Sequence, residues 1–445
     1  MNNLYLKSYL RCKRKAWLDF KGEKSYKIWS PHKPIETITQ YKNFFKLANG
    51  DLYSGLKGCK KGYKGIVGIK ITSKLFNNTN VKAYPQLLLK TNGQSKWGKY
   101  KYLPATFKLG HRTTKEQIYD LAFCSILLEP FQKTKVEKGL VVSNSLNKTN
   151  VEVINLDLLL RKKVLKIFLN LIQTLDNEIP DITEDRKKCA ICSWQSFCDK
   201  EAKEKGFLTD LDGIGSKTAL LLKKNNIFNV QELSISNELK LGKKLFFFNE
   251  KKYEKASKFI KQSKSYISGN PIRIGNNSDL SNLFSKKDSG FFFFDIESNP
   301  DEKHDFLYGF LAIKNLFGEI EDASYTPILN LNKNNEESYK RIIEKLFSHE
   351  SWPVLHYGET EKIAILNLAK IFNLNPEEAT QLKTRFIDLH EIIRKSWILP
   401  IKNYSLKKVA NWTGFKWEQF NVSGSKALYW WILYQNTLNQ IFLKK

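Results

Sequence analysis

The sequence predicts an α/β protein of several domains, on three observations. At 445 residues the chain is about three times the roughly 150 residues of an ordinary domain. Its 42% hydrophobic and 27% charged residues are those of a chain able to bury a sizeable core, which excludes wholesale disorder. The pattern also changes along the chain. Glycine-punctuated helical periodicity near 208–229 gives way, after a polar stretch at 275–289, to the apolar run Phe291–Ile296 and then to alternating strand-like and helix-like segments. No apolar run approaches the roughly 20 residues of a membrane span, and Met1–Lys15 has no apolar leader segment, so no membrane partner and a cytoplasmic location are expected.

The formal charge is +28. Such an excess suits a polyanion partner, most simply nucleic acid. The nine arginines against 64 lysines, with abundant Asn, Ile and Phe, are equally what an AT-rich coding bias produces, so motifs must decide.

Six cysteines are present, and in a cytosolic chain clustered cysteines suggest metal before disulfides. Cys189, Cys192 and Cys198 form a C-x2-C-x5-C run, which leaves a tetrahedral thiolate site one ligand short. Cys12, in Leu10-Arg-Cys-Lys-Arg-Lys-Ala-Trp-Leu, is the best fourth candidate, since positive neighbours favour thiolate. One early cysteine and three some 180 residues later, around a basic domain, resemble the iron–sulfur RecB-type nucleases. In that family a 4Fe–4S cluster ties the first helix of a PD-(D/E)XK nuclease domain to its C-terminal end, closing a long loop with four thiolate bonds. A four-cysteine zinc site and plain thiols are the alternatives. Cys59 and Cys124 have no such partners, and Cys124 reads as a small apolar filler in a helix.

The resemblance implies an acidic metal site between Cys12 and Cys189. Relatives carry an Asp in the segment that reads Ala83-Tyr-Pro-Gln86 here, then an acid, a spacer and Lys where this chain has Thr106-Phe-Lys108. Only Lys108 survives. An amide and a hydroxyl cannot replace two anionic Mg²⁺ ligands, so this domain is expected to keep its fold and cluster but to have lost cleavage. Glu116 and Asp120 are the nearby acids that a shifted alignment would bring in.

Leu208–Asn229 contains Asp212-Gly213-Ile-Gly215-Ser-Lys217-Thr-Ala219 and resembles a helix–hairpin–helix motif. Gly213 and Gly215 are expected at positive φ, bringing backbone N–H groups to a DNA phosphate beside a helix N-terminus and Lys217. An ordinary helix corner capped by glycines is the bland alternative. A further basic helix is expected over Leu245–Ile267, including Lys251 and Lys252, ending at Gly269-Asn270-Pro271.

In the last part, Gly290 and Asn299-Pro300 bound Phe291-Phe-Phe-Phe-Asp295-Ile-Glu297, which reads as a central strand buried on both faces. Asp295 and Glu297 stand two apart, so they share a side, and paired carboxylates at the end of such a strand need a cation. Strands are expected around 308–313, 323–328 and 353–356 and a helix at 336–347. Next comes an amphipathic helix that opens at Glu359/Glu361 with Ile363, Leu366 and Ile371 on its apolar face. These features resemble an RNase H-like exonuclease of the DEDD type, the domain fused C-terminally in RecB-like predicted nucleases. The resemblance makes Asp295, Glu297 and Glu361 ligands of Mg²⁺ or Mn²⁺, with Asp388 a fourth acid. Where relatives carry the last acid, this chain reads Asn421-Val-Ser-Gly424.

The resulting expectation is a RecB-like nuclease-like domain (1–205) with a four-cysteine cluster, a helix–hairpin–helix module (206–270), a linker (271–288) and an RNase H-like domain with a mixed sheet (289–445). Its function would be metal-dependent hydrolysis of DNA in the last domain, with Lys108, Gly213, Gly215 and Lys217 contacting DNA. RNA is also an admissible substrate. The competing reading is a catalytically decayed iron–sulfur DNA-binding scaffold.

Overall fold

The computed structural model describes residues 1–29, 32–75, 79–110, 112–145, 148–246, 254–275, 290–314, 323–333, 335–417 and 424–444. Asn421, Lys251, Lys252 and residues 276–288 of the expected linker lie outside the described residues. The chain forms two compact units, Met1–Lys200 and Glu201–Lys445.

The first unit holds strands β1 (Leu52–Ser54), β2 (Gly65–Val67), β3 (Ile71–Leu75), β4 (Thr79–Ala83), β5 (Leu87–Ser95), β6 (Gly98–Lys108), β7 (Lys138–Ser145) and β8 (Lys148–Asn155). Six of them make one mixed sheet in the order β1-β2-β5-β6-β7-β8, and β3 and β4 form a separate hairpin. Alternation along the strands produces two apolar faces. On one, Leu88, Tyr102 and Val141 join a core with Leu6, Phe123 and Phe168, which come from the helices Asn3–Arg11, Lys115–Gln132 and Leu158–Asp176. On the other, Leu87, Ala105, Phe107, Leu140 and Val142 pack with Phe44 of the helix His32–Leu47. Cys124 is buried in the first of these cores, as its apolar neighbours suggest.

In the second unit, Leu208, Ile214, Leu222, Leu241 and Phe259 form the core of a small all-helical module. Its helices run Ser216–Lys224, Val230–Ser234, Glu238–Phe246 and Lys255–Ser268. Of the basic helix expected from Leu245 onward, the described residues show Leu245 and Phe246 ending one helix and Lys255–Ser268 forming another, closed by Gly269 in the left-handed region (φ 72°). Gly213 takes φ 81° as expected, but Gly215 does not. Gly215 is the N-cap of the following helix at φ −86°, extended backbone that any residue adopts, so its missing side chain only clears the space above that N-terminus. Gly213→Ala is accordingly expected to cost about 1–2 kcal/mol in urea unfolding, and Gly215→Ser to cost nothing.

The same unit carries β9 (Ile272–Arg273), β10 (Phe291–Asn299), β11 (His304–Ile313), β12 (Ala323–Leu329), β13 (Val354–His356), β14 (Phe386–Asp388) and β15 (Trp397–Ile398). Five form a mixed sheet ordered β12-β11-β10-β13-β14, antiparallel on the β11 side of β10 and parallel on the β13 side. β9 pairs with β15 and ties the helical module to this domain. The ion pairs Asp212–Arg394 (3.0 Å) and Asp210–Lys402 (2.8 Å) and the bond from Gln262 Nε2 to the Leu399 carbonyl reinforce that tie.

β10 is central, but it is covered on one face more than the other. Phe292, Phe294 and Ile296 are buried against Ile342, Leu346, Ile365 and Leu382 of the helices Glu336–Phe347, Thr360–Ile371 and Pro376–Arg385. Each buried phenylalanine contributes about 1.5–3 kcal/mol. On the opposite face Phe293 is half-buried and Asp295 is exposed, so burial on both faces, as expected from four successive phenylalanines, holds only for the start of the strand. Ile363 and Ile371 also depart from expectation. Both are exposed, and the helix buries Glu361, Ile365, Leu368 and Ala369 instead.

Candidate functional site

The open face of the second sheet lines a cleft of about 890 Å³, counting its open mouth. Phe293, Asp295 and Glu297 of β10, Leu307, Gly309 and Leu311 of β11, and Tyr325 of β12 form one side. Leu355, His356, Tyr357, Leu389 and Leu406 form the other. Asp295 and Glu297 do share a side, because strand side chains repeat every second residue.

Three further segments converge here. Glu361 enters in the first turn of the helix Thr360–Ile371, is 7% exposed, and its Oε2 is buried with no hydrogen-bond partner. Glu359, its competitor in the sequence, is an exposed N-cap. Asp388 ends β14 opposite His356, and its Oδ1 accepts from the backbone N–H groups of Gly358 (2.9 Å) and His390 (2.8 Å). The first turn of the helix Gly424–Thr437 abuts Glu297, since a Cβ at Gly424 would lie 2.8 Å from Glu297 Oε2.

The electrostatics record the convergence. Burial, then repulsion from Asp295, pushes Glu297 up to about 7, with Lys407 pulling the other way. Glu361 is likewise pushed up to about 7, by burial and by Asp295 and Asp388 against a backbone hydrogen bond. Although its side chain reaches the surface, desolvation against the cleft wall also raises Asp295, partly offset by the Ile296 N–H. Three neighbouring acids held above their ordinary range, two of them lining the cleft, form a site that a cation would relieve.

His356, Tyr325 and Lys407 belong to this site but were not singled out in the sequence. His356 is 3% exposed, its Nδ1 donates to the Gly358 carbonyl, and its Nε2 is buried and unpartnered. Its Nδ1 lies 3.9 Å from Glu361 Oε2. The only available signal was its place at the end of a predicted strand just before the acidic helix start.

In the first unit, Cys12, Cys189, Cys192 and Cys198 line a single narrow pocket of about 20 Å³ together with Arg11, Arg14, Lys15, Arg186 and Lys188. Cys12 sits between the helices Asn3–Arg11 and Lys13–Lys21, Cys189 ends a 3₁₀ turn, and Cys198 lies on the helix Gln195–Glu204. The two ends of the unit are joined around them. Arg14 donates to the Pro180 carbonyl (2.8 Å), Trp17 to the Asn177 carbonyl (2.9 Å) and Trp194 to Asp19 (2.9 Å). At two of the later cysteines burial works against the charged form of the thiol. Burial outweighs Arg186 and pushes Cys189 up to about 11, and it raises Cys198 against Arg14. Nε and Nη1 of Arg186 are buried without partners.

Gln86, Thr106 and Lys108 also come together, because Leu87 pairs with Ala105 and sets Gln86 opposite Thr106. Gln86 Oε1 accepts from Thr106 Oγ1 (2.8 Å) and from the Phe107 N–H (2.6 Å). Lys108 is 3% exposed and donates to Thr113, which in turn bonds Glu152. It is therefore an internal donor and not a surface cation. Asp120 is 2% exposed and engaged elsewhere, with Lys7 (2.8 Å) and Asn3 (2.7 Å). In the helical module Gly213, Gly215 and Lys217 are all exposed at one corner.

Among the described residues no three His, Cys, Asp or Glu side chains stand close enough to hold a metal ion as they are placed. The donor chemistry and the orphaned atoms are nonetheless those of two ionic sites. Hard carboxylates with the unpartnered Glu361 Oε2 suit a divalent cation. Four cysteines ringed by cations suit an anionic metal–thiolate group.

Residues 292–445 match the profile of the RNase_H superfamily. This part of the chain is an RNase H-like domain, a nucleic-acid-processing fold of nuclease type whose members usually depend on Mg²⁺ or Mn²⁺. No curated protein matches the chain in sequence. No helix among the described residues is long and apolar enough to cross a membrane.

Proposed function

We propose that this protein is a metal-dependent nuclease acting on DNA, with hydrolysis in the C-terminal domain. The observation that carries the reading is that Asp295, Glu297, Glu361 and Asp388, from three separate segments of an RNase H-like domain, stand near enough that Asp295 repels Glu297 and Glu361 and Asp388 repels Glu361. These four side chains would hold Mg²⁺ or Mn²⁺, which when bound supplies a lowered pKa for the attacking water and neutralises the leaving oxygen. The chain's own residues do the rest. Asp388, fixed by two backbone N–H groups, orients the Gly358 turn that presents Glu361. Phe293 and Leu406 add apolar surface to the walls beside Asp295 and Glu297.

The remaining modules are read as RecB-like. Unit 1 is a PD-(D/E)XK-like domain whose metal-holding positions are now Gln86 and Thr106, and whose cleavage is lost. Its four cysteines hold a 4Fe–4S cluster that clips residue 12 to residues 189–198. The corner at Gly213, Gly215 and Lys217 contacts the DNA backbone, and the protein works in the cytoplasm. The four-part division at 205/206, 270/271 and 288/289 belongs to the same reading.

The test is degradation of end-labelled single- and double-stranded DNA by anaerobically purified protein, with Mg²⁺ or Mn²⁺ against EDTA. Binding without shortening under every condition would favour the decayed scaffold, the reading to which Gln86 and Thr106 lend support.

A pH dependence follows from the two raised glutamates. Folded Glu297 and Glu361 keep their protons to about pH 7, whereas unfolded glutamates lose theirs near 4.5. The folded chain therefore binds more protons in that window, and metal-free stability falls as pH rises through it. A divalent cation replaces those protons. Mn²⁺ is thus expected to raise the melting temperature little at about pH 5 and strongly at about pH 8. Equal shifts at both would remove these carboxyls from the cation site.

A further inference from the structure

We infer that Tyr325 is a substrate-positioning residue, the ring on which the nucleobase beside the cleaved phosphate stacks, and that Gly309 is the seat that lets the ring lie there. The inference rests on the nuclease reading above and adds a residue to it.

Tyr325 is on strand β12, opposite Leu311, yet its ring reaches diagonally across β11. A Cβ built on Gly309 would stand 3.0 Å from Tyr325 Oη and 3.3 Å from its Cε2. Gly309 is not in the left-handed region, so the backbone does not demand glycine there. What the absent side chain provides is room for the ring, the use of a strand glycine where another group approaches closely. Gly309 pairs directly with Asp295, which brings the phenol to the acids. Burial, then the charges of Asp295 and Glu297, raises the phenol's pKa, so it stays protonated at neutral pH.

The ring is nevertheless 59% exposed and lines the cleft. An exposed aromatic face beside carboxylates is poorly placed for stability alone. Its neighbours Phe293, Leu307 and Leu311 extend an apolar floor along the same sheet face. A phosphate held at the acids must carry its nucleoside somewhere. The base is the one part of a nucleic acid with an apolar face, and it presents that face only when unstacked. A chain of net charge +28 is complementary to the rest of such a strand.

The experiment uses the full chain in Ca²⁺ with a short oligodeoxythymidylate carrying 2-aminopurine at one end, and the same strand with an abasic site there. Wild type should quench the 2-aminopurine and bind the base-bearing strand more tightly. Tyr325→Ala should lose the quench and weaken that binding by about tenfold, within the range of one base–aromatic stack, while leaving the abasic strand unaffected. Tyr325→Phe should retain both, and Gly309→Val, which displaces the ring, should behave as Tyr325→Ala. The Mn²⁺-induced melting shift should be unchanged in all three, separating positioning from damage to the acids. Equal loss for base-bearing and abasic strands, an undiminished quench in Tyr325→Ala, or no quench in wild type overturns the inference. Absence of cleavage by wild type in Mg²⁺ or Mn²⁺ speaks instead against the nuclease reading, and a quench lost in Tyr325→Ala would still establish the stacking site.

Discussion

Asp295→Ala is expected to lower metal-dependent cleavage by at least about a thousandfold while changing DNA affinity by less than about twofold. The asymmetry has a physical basis. The carboxylate would act on the cation and the reacting phosphate, whereas DNA is expected to be held through its backbone elsewhere in a strongly basic chain. The same substitution has a second signature. Asp295 is one of the charges that hold Glu297 and Glu361 near 7, so its removal should let both titrate lower. A pH titration of Mn²⁺ binding reads this directly. Cleavage that survives in the mutant would return attention to Gln86, Thr106 and Lys108, to which Thr113 links the carboxylate of Glu152.

Cys192→Ser should remove bound iron from anaerobically purified protein and destabilise the unit Met1–Lys200 by about 2–5 kcal/mol, as loss of a native cross-link does. The loop closed between residues 12 and 189 spans most of that unit, so the constraint on its unfolded chain is large. Because burial holds Cys189 up to about 11, loading the thiols should release protons, which a weakly buffered titration would record. Arg186, with two buried and unpartnered nitrogens beside the cavity, makes an anionic occupant electrostatically reasonable. One zinc per chain in place of iron would replace the cluster with a four-cysteine zinc site. Absence of any metal with unchanged melting would leave four ordinary thiols.

Much of the acid cleft was legible in the sequence because strand periodicity is local. Two acids two apart after an apolar run must share a face, and β10 obeys that rule. Cysteine spacing is local in the same sense, and the three residues named from it line one pocket with Cys12, which was chosen for its basic neighbours. The helix at 336–347 and the strands near 308–313, 323–328 and 353–356 follow from runs of apolar periodicity within single segments.

What escaped the sequence depends on distances between segments. The choice between Glu359 and Glu361 turned on how far the helix rotates as it packs, and the same rotation exposed Ile363 and Ile371. The roles of His356 and Tyr325 could not be read beforehand, because each is an ordinary strand residue until cross-strand register sets it beside an acid from a distant segment. The balance at Cys189 was hidden for a related reason. Sequence shows the charges flanking a thiol, but not how deeply it is buried, and for Cys189 burial outweighs Arg186. Residue order alone thus determined which groups were present and which face of their own element they shared. Packing and register decided which of them meet, because the free energy of a charge depends on what surrounds it in space.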